Sequence, residues 1–450
     1  MPRLLGITFA AVISLWPEAP WRPSAPPVSA AAAEDIRDLI AAAKGAPPVV
    51  CALAAHAVGN FGWGGWSDAP QSPLKGVELP RSRRDRREPA SPEEVGFLLE
   101  SLSTTDPCVR ELAVRLLASE QSDAVAAGLV QRLTAGDSSL KIVAALGLGL
   151  VEPVSAVEPL MRAIRDVSTG VRANAVWALG RIGDGRAVRP ATGALGDVAP
   201  MVREAAAGAL GHLDSTSAVP ALVRVLKDDA VASVRRTAAW ALGQLDAKQA
   251  AGDLAAALHG DKEPAVREMS AWALGNIEAQ AATSSLLAAA QGDSDAAVRE
   301  TAVWAIGQLG DNSAAEGLGQ LLSAEKNVRV KGTAAWALGQ LDLHTAPKGL
   351  IDALSDNDAE LRLKAAWALS QIGDGAAIPA LRNALSREQD AHARKALVRA
   401  LIHSGERSDQ LTELLQSKDP QVREAAIRGI AGRGGVDPWP WPQPRPRPFP

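Results

Sequence analysis

The chain has 450 residues, 47% hydrophobic and 22% charged, with a formal net charge of -4 at pH 7. That balance excludes a disordered chain and a nucleic-acid binder that works by bulk charge, and it leaves room for several globular domains or one long array. Trp occurs 12 times and Tyr not at all.

The chain opens as an export signal over residues 1–30. Met1-Pro2-Arg3 is a short basic start, and Leu4 to Trp16 is an apolar run too short to span a bilayer. Small residues around Val28-Ser29-Ala30 suit a signal peptidase. The expected location is therefore periplasmic or extracellular, with no stable membrane insertion. Residues 31–69 read as a helical segment broken at Pro47-Pro48, followed by the loop Phe61-Gly62-Trp63-Gly64-Gly65-Trp66. Residues 70–90 form a Pro- and Arg-rich linker holding Arg81, Arg83, Arg84, Arg86 and Arg87. It is read as a solvated linker, because an exported chain meets few nucleic acids. Cys51 and Cys108 are compatible with one disulfide in an oxidising compartment, or with two separate buried thiols.

From Ser91 to residue 433 the sequence repeats. A basic residue following an apolar one recurs as Arg110, Lys141, Arg172, Arg203, Arg235, Arg267, Arg299, Lys331, Arg362, Arg394 and Arg423. This marks about eleven units of a first and a second helix. Val219, Leu222, Val223 and Leu226 give one face of a first helix, and Val234, Ala238, Ala241, Leu242 and Leu245 the inner stripe of a second. Asp or Ser before the second helices is expected to cap them, and Gly183, Gly310 and Gly373 to end them. The basic column is expected to make inter-repeat salt bridges with Asp residues in the preceding loops, such as Asp106, Asp137, Asp261 and Asp419. One helix pair cannot bury its apolar face alone, so the units must stack. The predicted fold is an all-α, right-handed solenoid.

The phrases Val171 to Gly180 with Ile182 to Pro190, and Leu361 to Ser370 with Ile372 to Ala380, resemble the short HEAT-like repeats first named for phycobilisome lyases. The resemblance covers about three quarters of the chain. It implies the fold, and it implies a binding role of unspecified kind.

Trp177, Trp240, Trp272, Trp304, Trp336 and Trp367 occupy one position of successive second helices. With Val234 at zero and 100° per residue, Trp240 falls at about 240°, opposite the apolar stripe. The indoles are therefore expected to line the concave side as an exposed ladder. One turn later stand Arg181, Gln244, Asn276, Gln308, Gln340 and Gln371. An indole followed by an amide resembles the Trp/Asn ladder of armadillo proteins such as importin-α, where amides hold the backbone of an extended peptide and indoles stack on its side chains. An amide matches a peptide unit, and indoles take Pro rings and Arg or Lys stems. The alternative is that each Trp packs against the next repeat. Partner-binding residues are accordingly assigned to Trp177, Trp240, Gln244, Trp272, Asn276, Trp304, Gln308, Trp336, Gln340, Trp367 and Gln371.

After Gly434 the chain reads Asp437-Pro438-Trp439-Pro440-Trp441-Pro442-Gln443-Pro444-Arg445-Pro446-Arg447-Pro448-Phe449-Pro450. Alternating Pro imposes an extended polyproline conformation, and this tail is a candidate ligand for the chain's own groove. Six scattered His, no phosphate loop and no G-x-S-x-G elbow give no catalytic or metal constellation. The expected function is a non-catalytic, cofactor-free scaffold that binds a protein or an extended peptide. Two rivals are a lyase-type accessory acting on a cofactor-bearing partner, and a regulatory array of the kind that follows sensor metallopeptidases.

Overall fold

A computed structural model describes residues 36–47, Cys51, 90–120, 122–406 and most of 412–430. The expected export signal, the Gly/Trp loop, the Arg-rich linker, Asp419 and the Pro-rich tail lie outside the described residues. An isolated helix α1 (Ile36–Ala43) precedes the array. Pairs of first and second helices follow: α2 (Pro92–Ser101) and α3 (Pro107–Ser119), α4 (Asp123–Ala135) and α5 (Ser138–Val151), α6 (Val157–Ala163) and α7 (Thr169–Ile182), α8 (Val188–Ala194) and α9 (Pro200–His212). Next come α10 (Val219–Asp228) and α11 (Ala232–Gln244), α12 (Ala251–Gly260) and α13 (Pro264–Asn276), α14 (Thr283–Gly292) and α15 (Ala296–Leu309), α16 (Ala315–Ala324) and α17 (Val328–Gln340). The last are α18 (Lys348–Asp352) and α19 (Ala359–Ile372), α20 (Ile378–Arg387) and α21 (Ala391–His403), and the second helix α22 (Pro420–Ile430). No strand occurs among the described residues. Every residue of the basic column sits on a second helix.

Local sequence sets the helix boundaries. Asp106, Asp137, Asp295, Asp358 and Asp390 cap α3, α5, α15, α19 and α21 by accepting from backbone N–H groups, and Asn327 does so for α17. Ser168 occupies the same position before α7 without a side-chain cap. At the other end, Gly183, Gly310 and Gly373 take the left-handed conformation with φ of 73°, 65° and 68°, as the sequence predicts. Four other repeats use residues with a Cβ there: Glu152, Asp214, Asp246 and Glu278 lie at φ between 45° and 58°. Each carries a strain that Gly would not. Replacing Glu278 by Gly is expected to stabilise the array by about 0.5–1 kcal/mol, the strain relieved less the extra freedom of unfolded Gly. A thermal melt showing a lower midpoint for Glu278→Gly would count against this.

The two helix types pack differently. Each second helix lies along the second helices before and after it, whereas neighbouring first helices mostly touch each other sparsely. The second helices therefore form the inner curve of the solenoid. Ala and Gly permit this crowding: a Cβ on Gly180 would stand 2.5 Å from the Ala209 Cα, and one on Gly275 2.9 Å from the Ala305 Cα. In α7 every residue from Gly170 to Gly180 except Arg172 is buried.

The basic column forms an ion-pair staircase at the ends of the helices. Arg235 donates through Nε and Nη2 to Asp261 at 2.7 and 2.8 Å, and Arg267 to Asp293 in the same way. Arg172, Arg203, Arg299 and Arg362 do the same to Asp197, Asp229, Glu325 and Glu388, and Lys141 and Lys331 reach Asp166 and Asp356. The pairs are inter-repeat as expected, with Asp261 among the carboxylates, but the loop that supplies the carboxylate is corrected. The carboxylate belongs to the following repeat, while the arginine's own preceding loop supplies carbonyl oxygens: Arg267 Nη1 donates to the carbonyls of Asp261 and Lys262. Asp106 and Asp137 are not partners of the column at all; their carboxylates are spent on helix caps. The reason is reach. An Arg in the first turn extends past its own loop, whose Asp faces back toward the previous repeat.

The first repeat is fastened to the segment before it. Cys51 and Cys108 form a disulfide, which resolves the choice the sequence left open. The Asp106 carboxylate also accepts from Gly45 N–H at 2.7 Å. That hydrogen bond, with those from Val109 and Cys108 at the helix start, holds its pKa below the ordinary value.

Candidate binding face

The six indoles are where the sequence expectation fails. Trp177, Trp240, Trp304, Trp336 and Trp367 are buried, between 0% and 7% exposed, and Trp272 is half-buried. Trp177, Trp240, Trp304, Trp336 and Trp367 thus offer no ladder to a ligand. Each indole lies across the preceding second helix, on the Gly three residues after that helix's Trp position, which holds Trp in α11, α13, α15 and α17, Leu146 in α5 and Gly208 in α9. A Cβ added to Gly211, Gly243 or Gly307 would meet Cζ3 of Trp240, Trp272 or Trp336 at 2.6, 2.7 and 2.5 Å. Gly149, Gly275 and Gly339 receive Trp177, Trp304 and Trp367 in the same way. The phrase is complementary to itself one repeat along: Trp is the knob and Gly the socket. The helical wheel failed because it treats a helix and its pair in isolation, and on the inner curve two further helices close over the opposite side. Burial has a cost here. The indole N–H groups of Trp177 and Trp336 have no acceptor among the described residues, about 1–3 kcal/mol each if no water reaches them.

The amides one turn later are placed as expected. Gln244, Asn276, Gln308 and Gln340 are exposed and Gln371 is half-buried. Asn276 turns its Nδ2 back to the carbonyl of Gly243 at 2.9 Å, and Gln371 donates to Ser370 Oγ. Gln244, Gln308 and Gln340 make no hydrogen bond among the described residues. The row also extends beyond the sequence reading. His212 continues it on α9 and His403 on α21, both half-buried. Sequence reasoning missed them by requiring a Trp one turn earlier, where α9 has Gly208 and α21 has Arg399; counting nine residues from the basic column would have found both. His403 Nδ1 lies 2.9 Å from the Ser370 carbonyl oxygen, and the His212 ring meets Trp240 edge-on at 5.1 Å. Burial, and then the charge of Arg181 at the same position of α7, lowers the His212 pKa.

One turn before the indoles the inner face carries charge. Glu204 accepts from Ser233 Oγ at 2.8 Å, and Glu300 pairs with Arg329 at 2.7 Å. Glu268 is less well served. It accepts a long 3.4 Å hydrogen bond from Thr301, and burial raises its pKa, with Asp295 and Glu300 adding repulsion that the charge of Arg236 offsets only in part. Glu268 sits one turn before Trp272, the most open indole of the six. Asn276 is shorter than the Gln found elsewhere in the row and is held by the Gly243 carbonyl. Among the described residues no group of His, Cys, Asp and Glu could hold a metal ion, and no helix is long and apolar enough to cross a membrane.

Comparison with known proteins fits this geometry. A family model for HEAT repeats matches seven overlapping stretches running from residues 126–197 to 315–402, more than half of the chain. The chain is a HEAT-repeat protein. Its HEAT array is similar over 73 residues, at 44% identity, to the bilin biosynthesis protein PecE of Mastigocladus laminosus, covering 16% of this chain and 27% of that protein. The matched stretch therefore spans about a quarter of that relative. Yeast importin-beta (Kap95p) shares the fold with a TM-score of 0.50 at 15% identity, over 88% of this chain and 61% of that one. The complex of CpcE and CpcF of phycocyanin lyase from Nostoc aligns with a TM-score of 0.34 at 24% identity, over 55% of this chain and 93% of that chain.

Proposed function

We propose that this HEAT array is a non-catalytic scaffold that holds an extended protein segment along its inner face. The observation that carries the reading is the amide row: Gln244, Gln308 and Gln340 stand at one position of their helices, exposed, with hydrogen-bonding capacity unused among the described residues. The corrected role of the five buried indoles is to floor the groove and fix its spacing, not to touch the ligand. Geometry favours one backbone conformation. Stacked helices lie about 8–10 Å apart, and a polyproline helix repeats every three residues, about 9.3 Å. A ligand of that form brings the same face to every repeat, so one amide meets every third peptide unit. The Cys51–Cys108 disulfide supports an oxidising location such as the periplasm or the cell exterior.

The test is binding of a library of synthetic Pro- and Arg-rich peptides to the full chain. Changing Gln244, Gln308 and Gln340 together to Ala is expected to weaken the best binders about 30-fold or more, at about 1 kcal/mol per lost hydrogen bond, with helicity unchanged. Binding indifferent to the triple change would sink the proposal. The local likeness to PecE favours a second reading, an accessory that presents a cofactor-bearing protein for attachment or removal of its chromophore. Chromophore transfer that depends on the chain would favour that reading over a passive scaffold.

A further inference from the structure

Five of the six indoles on the inner face are sealed, and the exception is specific. At α13 the Trp272 indole is half-buried rather than sealed, and Glu268 stands one turn away on the same helix with a single long hydrogen bond. Glu300 continues the acidic face on α15, and its partner Arg329 is a largely exposed side chain. An indole beside an undercompensated carboxylate suits a guanidinium: the ring faces its plane and the carboxylate takes its N–H groups.

The chain carries such a group within reach. Arg445 and Arg447 stand 15 and 17 positions beyond Ile430, the end of α22. Alternate Pro begins at Pro438, and an extended chain covers at most about 3.3–3.6 Å per residue, so these two residues reach up to about 50 and 60 Å from Ile430. From α22 back to α15 is four stacking steps and to α13 five, about 32–50 Å at 8–10 Å each. The span and the charge therefore match at the same place. The three-residue period also matches the repeat spacing, so Trp441, Pro444 and Arg447 share one face of the polyproline helix and meet successive repeats.

We propose that the Pro/Trp/Arg-rich segment following α22 folds back along the inner face of its own array and seats Arg447 between Trp272 and Glu268. This rests on the reading that the inner face takes an extended segment, and it adds the occupant: the segment covers the amide row until a partner displaces it. The array is thereby self-occluded.

The test uses the full chain with Gln443 replaced by the photo-crosslinker p-benzoylphenylalanine. Irradiation at low concentration is expected to join it to residues of α13, α15 or α17 within the same chain. Arg447→Ala and Glu268→Gln should each cut the yield about tenfold; Glu268→Gln preserves shape and so guards against a misfolded variant. Cross-links formed only between chains, cross-links absent from these helices, or yields indifferent to both changes would overturn the proposal. A second measurement separates it from the proposed function. Arg445→Ala combined with Arg447→Ala should raise the affinity of the full chain for a foreign Pro-rich peptide about tenfold. Unchanged affinity with the Gln244, Gln308 and Gln340 dependence intact would remove the tail as occupant and leave the scaffold standing.

Discussion

Trp336→Ala is expected to cost about 3–5 kcal/mol, the range for emptying a large buried aromatic site. Trp336 is 0% exposed, and its ring fills the space over Gly307 that a side chain would otherwise take. The neighbours cannot collapse into the void, because α15 and α17 are already held apart at Ala and Gly contacts on either side of the ring. The converse change should also destabilise. Gly307→Val places a Cβ 2.5 Å from Trp336 Cζ3, an overpacking worth about 1–3 kcal/mol or more. The two residues form one lock, so the effects should not add: in the Trp336→Ala background, Gly307→Val should cost little or even restore stability. Trp336→Phe should lose least, since it keeps a ring on Gly307 and removes an indole N–H that has no acceptor. Denaturant unfolding of the four variants checks all three statements. Additive losses from Gly307→Val and Trp336→Ala would show that the pair is not a lock. Stability in such an array is a sum of repeat and interface terms, so the loss should concentrate in the repeats around α15 and α17, visible as hydrogen exchange rising there first.

Arg267→Ala is expected to cost about 3–5 kcal/mol, as for breaking one half of a buried ion pair. It removes both hydrogen bonds to Asp293, whose side chain is only 8% exposed, and the bond to the Asp261 carbonyl. Arg267→Lys should recover part of the loss. Lys141 and Lys331 already serve the same position with one bond to their carboxylates, but Lys cannot span two oxygens and a carbonyl together. The staircase also sets the response to acid. Burial is the largest influence on Asp229, Asp261 and Asp293 and pushes their pKa up, yet the hydrogen bonds from Arg203, Arg235 and Arg267, the backbone hydrogen bonds and the nearby guanidinium charges together outweigh it, so all three fall below the ordinary value. Asp197, Glu325 and Glu388 are lowered chiefly by Arg172, Arg299 and Arg362. A carboxylate with a depressed folded pKa contributes stability that is whole above its unfolded value, near 4, and is lost as pH falls toward the folded one. Through these carboxylates stability should hold from pH 7 to about 5 and drop steeply below about 4, while the lowered His212 pKa adds a smaller loss as pH falls below about 6.5. Arg267→Ala should show a shallower drop, because it has already lost one of these pairs. An acid transition of equal steepness in both chains would remove the staircase as its cause.

The repeat itself was legible because it is written in short-range terms. The basic column, the Asp caps and Gly183, Gly310 and Gly373 each obey a rule that acts within one turn or one loop, and each appears in the structure where the sequence places it. The amide row was legible for a similar reason, since Gln244, Gln308 and Gln340 lie near helix ends that project past the packed middle. Failures came where the relevant partner is a whole repeat away. The carboxylate that Arg235 meets is 26 residues on, and nothing in its own loop announces that.

Tryptophan shows the division most clearly. Sequence by itself determined that an indole and a glycine recur together, three residues apart, at a fixed place in the unit, and it determined the all-α stacked architecture that such a period requires. Only tertiary structure decided that the indole of one unit enters the glycine of the unit before it. The arc a lone helix pair leaves open to water is the arc a curved stack closes, because crowding on the inner side brings backbones together wherever Ala and Gly allow. Curvature is a property of the assembled units, and no window of one repeat contains it.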